Sequence, residues 1–98
     1  MALVHNSFIL AAATPALIAT IPAGNPLTAI LVTNANASSV WIGDASVASG
    51  NTADRGVKVA TGTTQQMWLN AGDELYAISQ AGTGSSYDVS VLYSKVVA

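Results

Sequence analysis

The chain has no cysteine among its 98 residues, so it builds neither a disulfide framework nor a thiolate metal site. It is almost as poor in charge. Charged residues make up 8% of it, where an ordinary soluble domain carries about 25%. Only Arg55, Lys58 and Lys95 are cationic, and the net charge is −2. Nucleic-acid affinity rests on several lysine or arginine contacts to phosphates, and three scattered cations make no such footprint. The single histidine, His5, has no carboxylate near it in sequence, and no G-x-S-x-G elbow is present. A serine–histidine–aspartate device has nothing to grow from, and a non-enzyme is expected. Long hydrophobic runs are missing as well. The most apolar stretch, SFILAAATPALIATIPA at residues 7–23, lacks a basic leader and is interrupted by Pro15 and Pro22. It is too short and broken to span a bilayer and does not fit a targeting segment. Neither nucleic acid nor membrane is an expected partner.

In place of charge stand Ser, Thr, Asn, Gln and Ala. Such a surface is polar but electrically quiet, and it is poorly protected against association, because charge keeps monomers apart. Ninety-eight residues make one domain with a modest core. The pattern inside it has period two. SYDVSVLYSKV (86–96) sets Tyr87, Val89, Val91 and Tyr93 against Ser86, Asp88, Ser90 and Ser94, with Leu92 as an apolar intruder. That is a half-buried strand. QQMWLN (65–70) and ELYAIS (74–79) read as strands joined by a hairpin-type connection at residues 70–73. GVKVAT (56–61) alternates, and LTAILVTNA (27–35) is apolar on both faces, as in a central strand covered on each side. FILAAA and ALIATI read as two more extended segments. No stretch offers a capped helix with an apolar stripe; Ala11, Ala12 and Ala13 favour helix but stop at Pro15. The expectation is an all-β antiparallel sandwich or small barrel of seven or eight strands over residues 21–98. Residues 1–20 form an extended N-terminal arm or its first strands. In the arm reading Phe8, Ile9, Leu10, Leu17, Ile18 and Ile21 are the docking side chains.

Two Gly-Asp pairs punctuate the strands, Gly43-Asp44 and Gly72-Asp73. As structural corners, the glycines supply backbone conformations that a Cβ disfavours, and the aspartates cap nearby amides. Other chemistry finds less support. A calcium site from Asp44, Asp73 or Asp88 needs several oxygens, and no D-x-D-x-D-G spacing exists. Asp73 and Glu74 are adjacent, so in a strand they face opposite ways and do not pair for acid–base work. GTGSS (82–86) lacks the lysine and the following helix of a phosphate loop. NAS (36–38) is a glycosylation sequon by pattern, with meaning only in a secretory pathway. Trp41, Trp68, Tyr76, Tyr87 and Tyr93 fill the core or line a sugar-stacking face. Alternation with small polar residues favours the core, and a carbohydrate-binding module remains the alternative. No cofactor is expected.

The phrases VTNANASSVWIGDASV, GDELYAIS and VSVLYS, in that order, resemble small β-sandwich structural proteins of tailed bacteriophages. In those a strand ending V-T-N precedes a V-[WY]-[IV]-G-D strand and, later, a D-x-L-Y-A-[IV]-S strand. The matching positions are Val32, Thr33 and Asn34, then residues 40–44, then residues 73–79. The resemblance covers residues 28–92; the loop SGNTADRGVKVATGTTQ is longer than the pattern, and the first 26 residues lie outside it. It implies a virion component made in the host cytoplasm, a decoration protein on the outer head surface whose partner is the major capsid protein. A homo-oligomer is expected from the weakly charged surface, with a trimer among the candidate forms; a tail- or fibre-associated domain is the alternative within the class.

Overall fold

The computed structural model describes residues 2–10, 14–35, 38–48, 53, 55–79 and 89–96. Along them strand follows strand, with no helix: β1 (Ala2–Phe8), β2 (Ala16–Thr20), β3 (Thr28–Asn34), β4 (Val40–Gly43), β5 (Val57–Val59), β6 (Thr64–Leu69), β7 (Glu74–Ser79) and β8 (Val89–Lys95). They form two four-stranded antiparallel sheets. The first has the order β1-β8-β3-β6 and the second β2-β7-β4-β5. The all-β sandwich expected from the period-two pattern is the fold.

The wiring has a simple logic. β1 pairs with β8, β2 with β7, β3 with β6 and β4 with β5. Those are the pairs of one long hairpin, four strands out and four back, rolled so that successive pairs land in alternate sheets. The β3–β8 and β4–β7 pairings then complete each sheet. This is the strand order of a jelly roll. Only the β4–β5 connection stays within one sheet; every other one crosses between the two.

The roll corrects two expectations. Residues 70–73 do not make a hairpin, because β6 and β7 lie in different sheets. The turn is instead held from outside: Gly72 N donates to Ile21 O (2.8 Å), and Ile21 N donates to Asp73 O (2.9 Å). The first strand is Ala2–Phe8, upstream of the expected segment 8–13, of which residues 11–13 lie outside the described residues. In ALVHNSF, Ala2, Val4 and Phe8 turn inward while Leu3, His5 and Ser7 turn out, a modest alternation overshadowed by the more apolar run that follows. Of the two forms expected for residues 1–20, the described part takes the second. β1 and β2 are strands of the sandwich, paired with β8 and β7.

The core fills the space between the sheets. Ile30, Val32, Val89, Val91 and Tyr93 from the first sheet meet Ile18, Ala19, Val40, Ile42, Val59, Leu75 and Ala77 from the second, with Leu10 and Ile21 from the connections. Removing that apolar surface from water is the main driving force of the fold. In β2 the neighbours Ile18 and Ala19 are both buried because the register shifts between Leu17 and Ala19, a bulge that turns both toward the interior. Two buried amides fasten the ends of the sandwich. Asn34 Nδ2 donates to Val59 O (2.8 Å) in the opposite sheet and to Ser38 O (2.9 Å). Asn25 Nδ2 donates to Ser94 O (2.9 Å), and its Oδ1 accepts from Val96 N (2.9 Å). Unpaired, either amide would cost about 1–3 kcal/mol.

Candidate interaction surface

The two sheets are finished differently on their outer faces. On the second sheet, the chain after β4 folds back as a roof. Asp44 starts a turn in which Val47 N donates to Asp44 O (3.0 Å), and Val47 comes down beside Trp41 and Ile78 to make a small separate apolar cluster with Tyr76 at its edge. Gly56 N donates to Ala48 O (3.2 Å), which ties the roof to the return strand. Trp41 is left 8% exposed.

Nothing among the described residues roofs the first sheet. Strict alternation sends Ile30, Val32, Val91 and Tyr93 inward, so their neighbours emerge on the other side in registered rows. Leu3 lies opposite Ser94, and Trp68 opposite Ala29. His5, Leu92, Leu31 and Gln66 make the next row, and Ser7, Ser90, Thr33 and Thr64 the third. Leu3 is 69% exposed, Trp68 60%, Leu92 38% and Leu31 37%. The third row is stitched by hydroxyl pairs, Ser7 with Ser90 (2.9 Å) and Thr33 with Thr64 (2.8 Å). These residues include no Asp, Glu, Lys or Arg. A shallow open depression of about 380 Å³ runs beside the hydroxyl row, lined by His5, Leu31, Thr33, Thr64, Ser90 and Leu92 among others. The face is therefore neutral, apolar at one end and hydroxyl-bearing at the other.

This placement changes several sequence expectations. β3 is central but covered on one side only: Leu31 is exposed. Leu92, the intruder in β8, is accounted for, because it sits between His5 and Leu31 on the open face. Trp68 is an exposed ring rather than a core one, since its neighbours Met67 and Leu69 take the inward positions. Trp41 and Tyr93 are buried; Tyr87 lies outside the described residues. Of the six expected docking side chains, Leu10, Ile18 and Ile21 are core residues and Phe8 packs against the core. Only Ile9 and Leu17 are exposed.

The two Gly-Asp corners come together at one end of the sandwich, with Asp44, Ser46, Gly72, Asp73 and Glu74 around a depression of about 400 Å³. Gly72 has φ +86°, in the left-handed region where a side chain is strained. Asp73 caps the turn through Oδ2, which accepts from Asn70 N (2.7 Å). Asp44 Oδ1 accepts from Ser46 Oγ (2.8 Å) and Ser46 N (2.9 Å). The Ser46 hydroxyl and then its amide hold the Asp44 carboxyl below the ordinary value. Gly43 differs from expectation: its φ is not left-handed, and the constraint is space, because a Cβ there would lie 3.1 Å from Val47 Cγ2. The tighter position, Gly56, has no signal in the sequence. A Cβ at Gly56 would land on the Ile42 carbonyl oxygen and 2.6 Å from Val47 Cγ2. Among the described residues no group of three or more His, Cys, Asp or Glu is arranged to hold a metal ion. Asp88, Asn36 and the GTGSS segment lie outside those residues.

No protein-family model matches the chain, and no curated protein or solved structure is significantly similar to it. The resemblance to phage structural proteins rests on its own three phrases.

Proposed function

We propose that this is a non-enzymatic virion structural protein, a head decoration protein that seats the open face of its first sheet on the major capsid protein. The observation carrying this reading is the contrast between the outer faces among the described residues: one roofed by the chain itself, the other bare, neutral and partly apolar. Four strands spaced about 4.8 Å apart, and roughly six residues rising about 3.4 Å each, give that face about 400 Å² in plan. Even with side-chain relief this is less than the roughly 800 Å² that each partner contributes to a standard stable interface. A single copy would bind weakly, and repetition over a lattice supplies the rest. The jelly-roll wiring supports neither this nor any other activity by itself.

The test is pelleting with phage heads. Leu31→Lys and Leu92→Lys, both at exposed positions, should keep the β fold by circular dichroism. Each should cut pelleting by on the order of tenfold or more, because a buried unpaired charge costs several kcal/mol. Pelleting of the unaltered chain should hold between roughly 0.1 and 1 M sodium chloride, where screening removes exposed ion pairs. It should fall in moderate urea. Full binding by both lysine variants, or release by salt alone, overturns the reading. Immunogold label on tails rather than heads would move the protein to a tail or fibre.

One observation favours a second reading, a carbohydrate-binding module. Trp68 stands 60% exposed at the apolar end of the same uncharged face. Oligosaccharides that quench tryptophan fluorescence in the unaltered chain but not in Trp68→Ala would support it.

A further inference from the structure

Every open sheet has two edges, and an edge is a row of unpaired backbone groups that invites another strand. The four edges here are not alike. In the second sheet, β2 carries a bulge and lies between Pro15 and Pro22, while β5 is three residues long with Lys58 at its centre. Bulges, prolines, shortness and lysine are the usual devices against edge pairing. The first sheet has none of them. β1 runs seven residues and β6 six, in unbroken register with their inner neighbours, with no proline and no Asp, Glu, Lys or Arg.

We infer that β1 of one copy pairs antiparallel with β6 of the next, head to tail, extending the first sheet from subunit to subunit. Direction allows it. With β1, β8, β3 and β6 alternating in sense, the next copy's β1 meets β6 antiparallel when the copies are related by simple continuation of the sheet. Chemistry selects it over the alternatives. Carrying the internal rows across the junction sets Leu3 against Trp68, Val4 against Met67, His5 against Gln66, Asn6 against Gln65 and Ser7 against Thr64. Apolar meets apolar, imidazole meets amide, amide meets amide and hydroxyl meets hydroxyl in five consecutive rows. The last repeats the Ser7–Ser90 and Thr33–Thr64 pairs already inside the sheet. Two-fold pairing of β1 with β1 about His5 would instead set Leu3 against Ser7. Pairing of β6 with β6 about Gln66 would set Trp68 against Thr64. Neither edge carries a formal charge to repel the other. A head-to-tail contact closes into a ring or runs on as a filament, according to the rotation at each step.

This inference deepens the association part of the proposed function but is independent of the capsid, since it concerns copies of this chain alone. The absence of cysteine makes cross-linking clean. His5 and Gln66 share a row but are three strand spacings apart in one chain, roughly 14 Å. That is far beyond the Cβ separation of about 4.5 Å that a disulfide spans. The chain bearing both His5→Cys and Gln66→Cys, oxidised and run on a non-reducing gel, should therefore give covalent species of three or more chains. Each single variant should stay at the mass of one chain. Separately, light scattering should show Leu3→Glu and Trp68→Lys each dissociating the oligomer, and the two combined restoring it, because the opposite charges then face one another across the junction. Circular dichroism verifies the fold, and both positions are exposed. Absence of cross-links in the double cysteine variant, dimers from either single one, or no restoration in the charge pair overturns the inference. Head binding without cross-linking would overturn it while leaving the proposed function standing, and cross-linking without head binding would do the reverse.

Discussion

The molecule has two large aromatic rings of the same kind in opposite circumstances. Trp41 lies on the outer face of the second sheet and is sheltered by Val47. Trp68 lies on the outer face of the first and stands in the open. Both are strand residues that point away from the main core, so local conformation does not separate them. What separates them is the turn after β4, which brings Val47 back over one face, while no described residue covers the other. A sandwich of this size gains stability by covering an outer face and gains a binding surface by leaving one bare. Among the described residues one outer face is covered and the other is not.

The largest test of that contrast is a pair of substitutions. Trp41→Ala should cost about 3–5 kcal/mol, as for other buried aromatic truncations, read from the urea midpoint. Trp68→Ala should stay within about 0.5 kcal/mol of the unaltered chain while weakening association. Equal costs would mean that the two faces are not finished differently. Next in size is Gly56→Ala, which drives a methyl into the Ile42 carbonyl and should lose about 3 kcal/mol, the upper range of overpacking. Because that clash sits under the roof, intrinsic tryptophan fluorescence should report a wetter Trp41 before global unfolding. Gly72→Ala should cost about 1–2 kcal/mol through left-handed strain, and Gly72→Asn less, since asparagine tolerates that conformation better. Equal losses would remove the backbone explanation.

The smallest effect concerns Asp44. Its carboxyl in the fold is held below the ordinary value of 3.8 by the Ser46 hydroxyl and amide. A lowered folded value means the contribution is complete above pH 3.8 and is lost as pH falls through the folded value. Asp44→Asn should therefore flatten the acid side of the stability profile slightly and leave neutral pH nearly unchanged. An identical acid slope in both proteins would remove Asp44 from the ledger.

Strand type was readable because period two survives in most segments, and most of the eight strands follow from it; β1 was expected at residues 8–13 and lies at Ala2–Phe8. Partnership between strands was harder to read. Residues 70–73 carry the residues of a tight hairpin, and only their bonds to Ile21, fifty residues earlier, show that they bridge two sheets. Parity failed wherever three apolar residues run together: Met67, Trp68 and Leu69 give no hint which is outside. Asn34 and Asn25 look like loop residues, yet both are buried fasteners, a role visible only once their distant carbonyl partners are in place. The Gly-Asp corners were readable as turns, but Gly43 serves by leaving room for Val47, and spacing of that kind leaves no local mark.

The pairing of β1 with β8 has a consequence for how the protein is made. β8 lies between β1 and β3, and synthesis reaches it only after the other seven strands. Until residues 89–95 appear, β1 has no partner within its own chain and β3 has one side empty. The first sheet thus cannot be finished piecemeal, and contacts that join opposite ends of the chain make folding slow. For a sheet whose edges are β1 and β6, this ordering is protective in one sense and hazardous in another. No nascent chain can offer a complete first sheet to its neighbours, while any chain stalled before β8 leaves a neutral, unguarded β1 exposed to whatever strand it meets.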